Sequence, residues 1–343
     1  MSLERGIDDV SVLLLHNIDP AWDSDETGQA LREVAEFETA FRETGKSLTT
    51  LTVQDTDLTA CLHGYHPDNH IIFNWCEEIP GIPHSEALVP QALETLQFTY
   101  TGSTPDVLSL CWDKVKVKLL MHLWGIRTPR WNFYDSVKTD GWDCYPAIAK
   151  PSREHCSLGV TAEAVVRSSR ELQERIAYIL DTLQQPVLVE EFIDGREFHV
   201  TFWGNGSVEM LPPAEMDFGA FDDVRERLCT YESKFLPGSR HYEKIGLKLP
   251  APLSETEYRS LQSTGKLTYR AFGCRDYARL DIRLRDGIFY VIDVNPNSDV
   301  SSEASMACAA EAAGLTYGQM IGHIVNLAAQ RHPVIGALLP RIF

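Results

Sequence analysis

The stretch Ala278-Arg-Leu-Asp281 and its continuation Tyr290-Val-Ile-Asp-Val-Asn295-Pro296 read as two strands, 277–284 and 288–294, joined across the turn Arg285-Asp-Gly287. Side chains alternate along a strand, so Arg279 shares a face with Asp281, and Asp293 with Asn295. Two carboxylates and a carboxamide oxygen converging from paired strands form a hard-oxygen ligand set, suited to Mg²⁺ held together with substrate phosphates. A single strand acid is ordinarily a solvated surface residue. The whole set, beside otherwise apolar strands, points to a metal.

Moving outward, three lysines stand where a phosphate chain would need cations. Lys150 closes the strand Ala147-Ile-Ala-Lys-Pro151, Lys114 lies in Cys111-Trp-Asp-Lys114 within a helix expected over 106–124, and Lys234 sits in Tyr231-Glu-Ser-Lys-Phe235. Taken alone, each is more often a surface lysine. After Lys150 comes Ser152-Arg-Glu-His-Cys-Ser-Leu-Gly159, a polar loop able to turn backbone N–H groups toward phosphate oxygens. It does not match the P-loop consensus, and no G-x-G-x-x-G follows the first strand.

The first third has a different character. Val10–Leu15, 47–53 and 70–74 read as strands, with helices at 26–44 and 86–97, an order that favours a small α/β domain ending near 105. Beyond it the pattern is antiparallel sheet plus helices, with helices at 169–184, 254–272 and 303–329, strands at 186–193 and 197–203, and a loop-rich passage over 214–252. The 343 residues suit two or three domains. A formal charge of −18, from 49 acids against 31 bases, disfavours nucleic acid or an anionic membrane as partner. No apolar run approaches a membrane span, and Val10–Leu15 is too short and too acidic in its flank for a signal peptide. Eight scattered cysteines without C-x-x-C or Cys/His metal spacing fit reduced thiols in a cytoplasmic protein.

Taken in order, D-K before a helix, I-A-K-P with a Ser/Gly loop, V-E-E-F-I-D-G-R-E-F, a loop lysine, R-L-D and D-V-N-P closely resemble the ATP-grasp superfamily, in its D-alanine–D-alanine ligase branch. The likeness runs from about residue 10 to 327, and Phe73-Asn-Trp-Cys-Glu77, Gly81 and Tyr100-Thr-Gly-Ser103 join it. The resemblance implies an ATP-grasp fold of mixed α/β and α+β class. A Rossmann-like N-terminal α/β domain (1–105) would precede two α+β ATP-grasp lobes, 106–186 and 187–343. It implies that Lys114 and Lys150 contact the α- and β-phosphates of ATP and Lys234 the γ-phosphate. Glu190 with the backbone at Phe192 and Ile193 would hold adenine, and Glu197 the ribose. Asp281, Asp293 and Asn295 would hold two magnesium ions, manganese being able to replace them. Arg279 would stabilise the acyl phosphate, and Ser157 matches the serine of the family's loop over the phosphates.

The chemistry so implied is ligation of a small-molecule carboxylate and amine into an amide through an acyl phosphate, in a cytoplasmic homodimer. The substrate positions depart from the family. His16-Asn-Ile-Asp-Pro-Ala-Trp-Asp23 replaces the Gly-rich, Glu-bearing loop, Phe235 replaces a tyrosine, and His155-Cys156 replace Gly-Ser. Asp293 stands for the usual Glu. Asp299 and Glu303 fall where the second substrate's carboxylate would lie, and would repel it or recruit a cation. Amino acids other than two D-alanines are therefore expected. The rivals are a D-alanine–D-alanine ligase proper, a nucleotide-binding protein without ligase activity, and an ATP-grasp enzyme making an ester or phosphate bond.

Overall fold

The computed structural model describes residues 10–336 apart from 140, 155–158 and 237, and leaves out the side chains of Lys234 and Phe235. The chain opens with β1 (Ser11–Asn17), α1 (Ser24–Arg42), β2 (Leu48–Val53), α2 (Leu58–Leu62), β3 (His70–Trp75), α3 (Leu88–Thr95) and β4 (Thr99–Tyr100). These strands form a parallel sheet in the order β2-β1-β3-β4. β1 is apolar throughout because both its faces are covered. Val12 and Leu14 pack with Phe37 and Phe41 of α1, whereas Leu13 and Leu15 pack with Leu58, Val89 and Leu93 on the other side.

The helix expected over 106–124 is two helices, α4 (Pro105–Trp112) and α5 (Lys114–Leu123). Asp113 breaks it: its carboxylate accepts from the N–H groups of Val115 and Lys116 at 3.1 and 3.2 Å, capping α5. Lys114 thereby becomes the first residue of a helix instead of a mid-helix residue. A second, antiparallel sheet, β5-β8-β6-β7, follows from β5 (Trp131–Tyr134), β6 (Ala147–Pro151), β7 (Val165–Val166) and β8 (Val187–Glu191). Helix α6 (Ser169–Tyr178) backs it and passes into a wide turn at 179–183, which shortens the helix expected to 184.

The third sheet runs β12-β11-β9-β13-β14, with β10 also paired to β9. Its members are β9 (Arg196–Trp203), β10 (Glu209–Met210), β11 (Ala214–Asp217), β12 (Gly246–Lys248), β13 (Tyr277–Arg285) and β14 (Ile288–Pro296). Helices α7 (Tyr231–Phe235) and α8 (Arg240–Lys244) lie in the passage read as loop, and α9 (Glu255–Ala271) packs across the sheet. The chain then forms α10 (Ser305–Ala312) and α11 (Tyr317–Ala329), split at Gly314 where a single helix over 303–329 was expected.

The cores do not follow chain order. Val107, Cys111, Val117 and Met121 of α4 and α5 pack with Phe198, Leu280 and Val294 of the third sheet, away from the central lobe. Met306, Ile321, Ile324 and Val325 of α10 and α11 return to the first sheet beside Leu14 and Phe73. A buried network ties the pieces together. Asp276 binds Arg331 at 2.6 and 2.7 Å, Asn205 at 2.8 Å and the Gly102 N–H at 2.8 Å. Among the described residues no helix is long and apolar enough to cross a membrane.

Candidate active site

The β13–β14 hairpin places Asp281 directly opposite Asp293 and Arg279 opposite Asn295. The register shifts after Asp281, so Ile292 is an unpaired extra residue. Such a bulge twists a strand locally and re-aims its side chains. The far face of β13 is core: Ala278, Leu280 and Ile282 are fully buried. Arg279, Asp281, Arg283, Asp293 and Asn295 instead line a cleft of about 840 Å³ between the second and third sheets and the loops of the first.

The charged groups of this cleft are cross-linked. Lys114 Nζ donates to Asp293 Oδ2 at 2.8 Å. Arg279 Nε and Nη2 donate to the two oxygens of Asp281 at 2.8 and 3.2 Å, and Asn295 Nδ2 donates to Asp281 Oδ2 at 3.2 Å. Glu190, 1% exposed, pairs with Lys150 and with Lys118, each at 2.6 Å. Lys118 also donates to Thr128 Oγ1 and to the carbonyl of Ile292, at 2.7 and 2.9 Å. Burial opposes ionisation of Glu190, but the two ammonium groups outweigh it and hold the carboxyl below its ordinary range. At Glu197 burial is likewise overcome, here by Arg283 and His199, and the carboxyl lies well below the usual carboxylate range. Arg283 binds it at 2.7 Å through Nε.

The cleft thus gathers Lys114, Lys150, Glu190, Phe192, Ile193, Glu197, Arg279, Asp281, Asp293, Asn295, Asp299 and Glu303. His155, Cys156 and Ser157 lie outside the described residues, as do the side chains of Lys234 and Phe235 on the short helix α7. The Phe192 N–H donates to the Pro146 carbonyl at 2.9 Å, and the Ile193 carbonyl accepts from Arg283 at 2.8 Å. Those two backbone groups are therefore already occupied. Gly195, next along, lets β9 pass the neighbouring strand: a Cβ there would stand 2.1 Å from the Leu284 carbonyl oxygen.

Sequence reasoning gave no role to Lys118, Arg283 or Glu86, and named Glu77 only within the motif Phe73-Asn-Trp-Cys-Glu77. The first two had a signal. Lys118 follows Lys114 by four residues in Lys114-Val-Lys-Val-Lys-Leu-Leu120 and so shares its helix face. Arg283 continues the alternation of Arg279 and Asp281.

A parallel sheet, two antiparallel sheets and a charged hairpin at the edge of the third are the arrangement of an ATP-grasp ligase, an enzyme that forms C–N bonds. Residues 127–326 match the family model described as D-ala D-ala ligase C-terminus, more than half of the chain. The uncharacterized protein y4sG of Sinorhizobium fredii is 34% identical over 265 residues, which is 76% of this chain and 75% of that protein. A D-alanine–D-alanine ligase of a Marinomonas species is 32% identical over 246 residues, 70% of this chain and 72% of the relative. The crystal structure of the Bacillus anthracis D-alanine–D-alanine ligase complexed with ATP superposes with a TM-score of 0.72 at 19% identity, over 93% of this chain and 97% of that one. The chain belongs to the D-ala D-ala ligase C-terminus family.

Proposed function

We propose that the protein joins a carboxylate to an amine through an acyl phosphate, and that its substrates are not two D-alanines. The observation that carries the first half is the Lys114–Asp293 and Arg279–Asp281 pairs, which put cations and hard-oxygen ligands on one wall of one cleft. A carboxylate oxygen attacks the γ-phosphorus of ATP, and ADP leaves. The amine then attacks the acyl carbon, and phosphate departs with the C–O bonding pair. ATP thus replaces a poor leaving group by a good one.

Lys114 and Lys150 are assigned to the α- and β-phosphates and Lys234 to the γ-phosphate. Glu190 positions Lys150 and Lys118 and, with the segment Phe192–Ile193, borders the adenine end, while Glu197 faces the ribose. Arg279 is placed to balance the charge that develops on the acyl oxygens, with Ser157 on the loop above. The opposed carboxylates of Asp281 and Asp293 with the amide oxygen of Asn295 fit magnesium, which bound there would draw charge from the transferring phosphoryl group. The pairs with Lys114 and Arg279 hold these ligands until phosphates compete for the cations. The divisions near 105 and 186, a homodimer and a cytoplasmic location belong to the same reading.

The second half rests on substrate positions. Asp299 and Glu303 line the cleft, and the family resemblance sets the second substrate's carboxylate near them. The test is coupled ADP release over a matrix of carboxylates and amines, with product mass. Robust ADP release and an alanyl-alanine product from D-alanine alone would reject the substrate claim; ATP binding without ADP release on any pair would reject ligation.

A further inference from the structure

Strand β9 carries Glu197 and His199 two residues apart, so both side chains project from one face. Arg283 and Asp281 stand opposite them on β13. Cys229 reaches the same cleft from the turn before α7. The Glu197 and His199 side chains are only 11% and 9% exposed, and Cys229 is half-buried. Of the three, only Glu197 has a place in the ligase reading, at the ribose.

Their donor atoms converge. Arg283 takes Glu197 Oε2, and Oε1 is left toward His199 Nε2, 3.5 Å away, longer than a normal hydrogen bond. Oxygen and nitrogen ligands of one tetrahedral Zn²⁺, each about 2.0–2.1 Å from the ion, stand about 3.4 Å apart. A carboxylate oxygen of Glu197, an imidazole nitrogen of His199 and the Cys229 sulfur all lie within 4.8 Å of one another. The next oxygen, Asp281 Oδ1, is 4.0 Å from His199 Nε2 and is held by Arg279. Thiolate and imidazole donors select zinc-type ions over magnesium, whereas the hard-oxygen set of Asp281, Asp293 and Asn295 selects the reverse.

We propose that Glu197, His199 and Cys229 form a transition-metal site of the Zn²⁺ type, separate from the magnesium site, and that an ion there excludes ATP. Binding forms three coordinate bonds, with water as fourth ligand, and releases the Cys229 proton to solvent. Carboxylate and thiolate then balance the charge of the ion, and the imidazole stays neutral. The exclusion of ATP rests on the ligase reading above, in which Glu197 faces the ribose: an oxygen committed to a metal is lost to a ribose hydroxyl. Linkage makes the effect mutual, so ATP weakens the metal by the same factor.

Cobalt(II) reports ligand type and geometry through its absorption spectrum. Titrated into the full chain without nucleotide, it should fill one tetrahedral site with a thiolate-to-cobalt charge-transfer band. Zn²⁺ should displace it, and a large excess of Mg²⁺ should not. Cys229→Ser should abolish the band. His199→Gln should weaken affinity at least about tenfold, since even groups behind the ligands matter that much. On the parent chain Zn²⁺ should protect Cys229 from iodoacetamide, read by peptide mass, a measurement that needs no variant. At buffered free Co²⁺, a saturating non-hydrolysable ATP analogue should weaken the band's apparent affinity at least about tenfold. Octahedral bands alone, a band that survives Cys229→Ser, an unprotected Cys229, or cobalt affinity indifferent to bound analogue overturns the proposal. Calorimetry with magnesium on the otherwise metal-free chain detects analogue binding separately. Its absence would sink the ATP reading, whereas the metal site stands or falls by the Cys229 and His199 results.

Discussion

The two ends of one cleft carry their charge in opposite ways, buried and paired at one end, half-buried or solvent-facing at the other. At the phosphate end each cation is paired: Lys118 and Lys150 with Glu190, Arg283 with Glu197, Lys114 with Asp293 and Arg279 with Asp281. At the acidic end Glu77, Glu78, Glu86 and Glu303 have no described counter-ion. A paired cluster is preorganised and its removal damages the fold. Acids that face solvent without a counter-ion hold no part of the fold together, so their removal should spare stability.

The sharpest test of that contrast is Glu190→Gln. It leaves two buried ammonium groups facing a neutral amide, and removing one partner of a buried pair costs about 3–5 kcal/mol. Urea unfolding should show a loss of that order. Glu77→Gln, at the other end, should be no less stable than the parent, because it removes no paired partner. Similar losses in both variants would erase the distinction.

Asp293→Asn removes charge but little volume, taking a proposed metal ligand and the partner of Lys114. ATP turnover should fall by about 10²–10³-fold, the scale on which single charge-stabilising groups act, while circular dichroism stays unchanged. Near-parental turnover would refute the metal assignment.

The pH dependence should also split the two ends. Glu190 and Glu197 have carboxyls below the unfolded value of 4.5. Their contribution is therefore complete above pH 4.5 and is lost as pH falls through their folded values. Glu77 and Glu86 are pushed up to about 7 and about 8. The folded state then disfavours their ionised form, a cost that grows from pH 4.5 and levels off above about pH 8. The double variant Glu77→Gln, Glu86→Gln should accordingly gain urea resistance over the parent as pH rises through that window. A constant difference across it would show that these acids do not feel the cleft.

What could be read in the sequence was whatever one strand or helix decides. The alternation of Arg279, Asp281, Asp293 and Asn295 located the hairpin face, and apolar runs located β1 and β3. Asp113 was equally legible as a helix cap but also passes as a helix residue, so the break in 106–124 went unseen. Strand β12 is exposed along its length and exists through its pairing with β11, a relation no local pattern encodes. The adenine role expected of Glu190 could not anticipate a lysine held on each of its two oxygens. Nor could sequence show that the charge of Asp299 acts on Glu77, residues far apart in the chain that only the folded cleft brings near each other.

The smallest expected effect tests how the two ends are coupled. Gly102, in Tyr100-Thr-Gly-Ser103, has φ +92°, and a Cβ there would lie 2.3 Å from Asn297 Oδ1. That same oxygen accepts from the Ser103 N–H at 2.7 Å, so the turn anchors the segment that carries Ser298 and Asp299. Gly102→Ala adds an unfavourable backbone conformation and pushes Asn297 away, for about 1–3 kcal/mol. Because the anchor lies on the acidic side, the amine KM should rise while the ATP KM changes little. If the ATP KM rose as much, the cleft would be one mechanical unit, and the division drawn from its charges would not extend to its positioning.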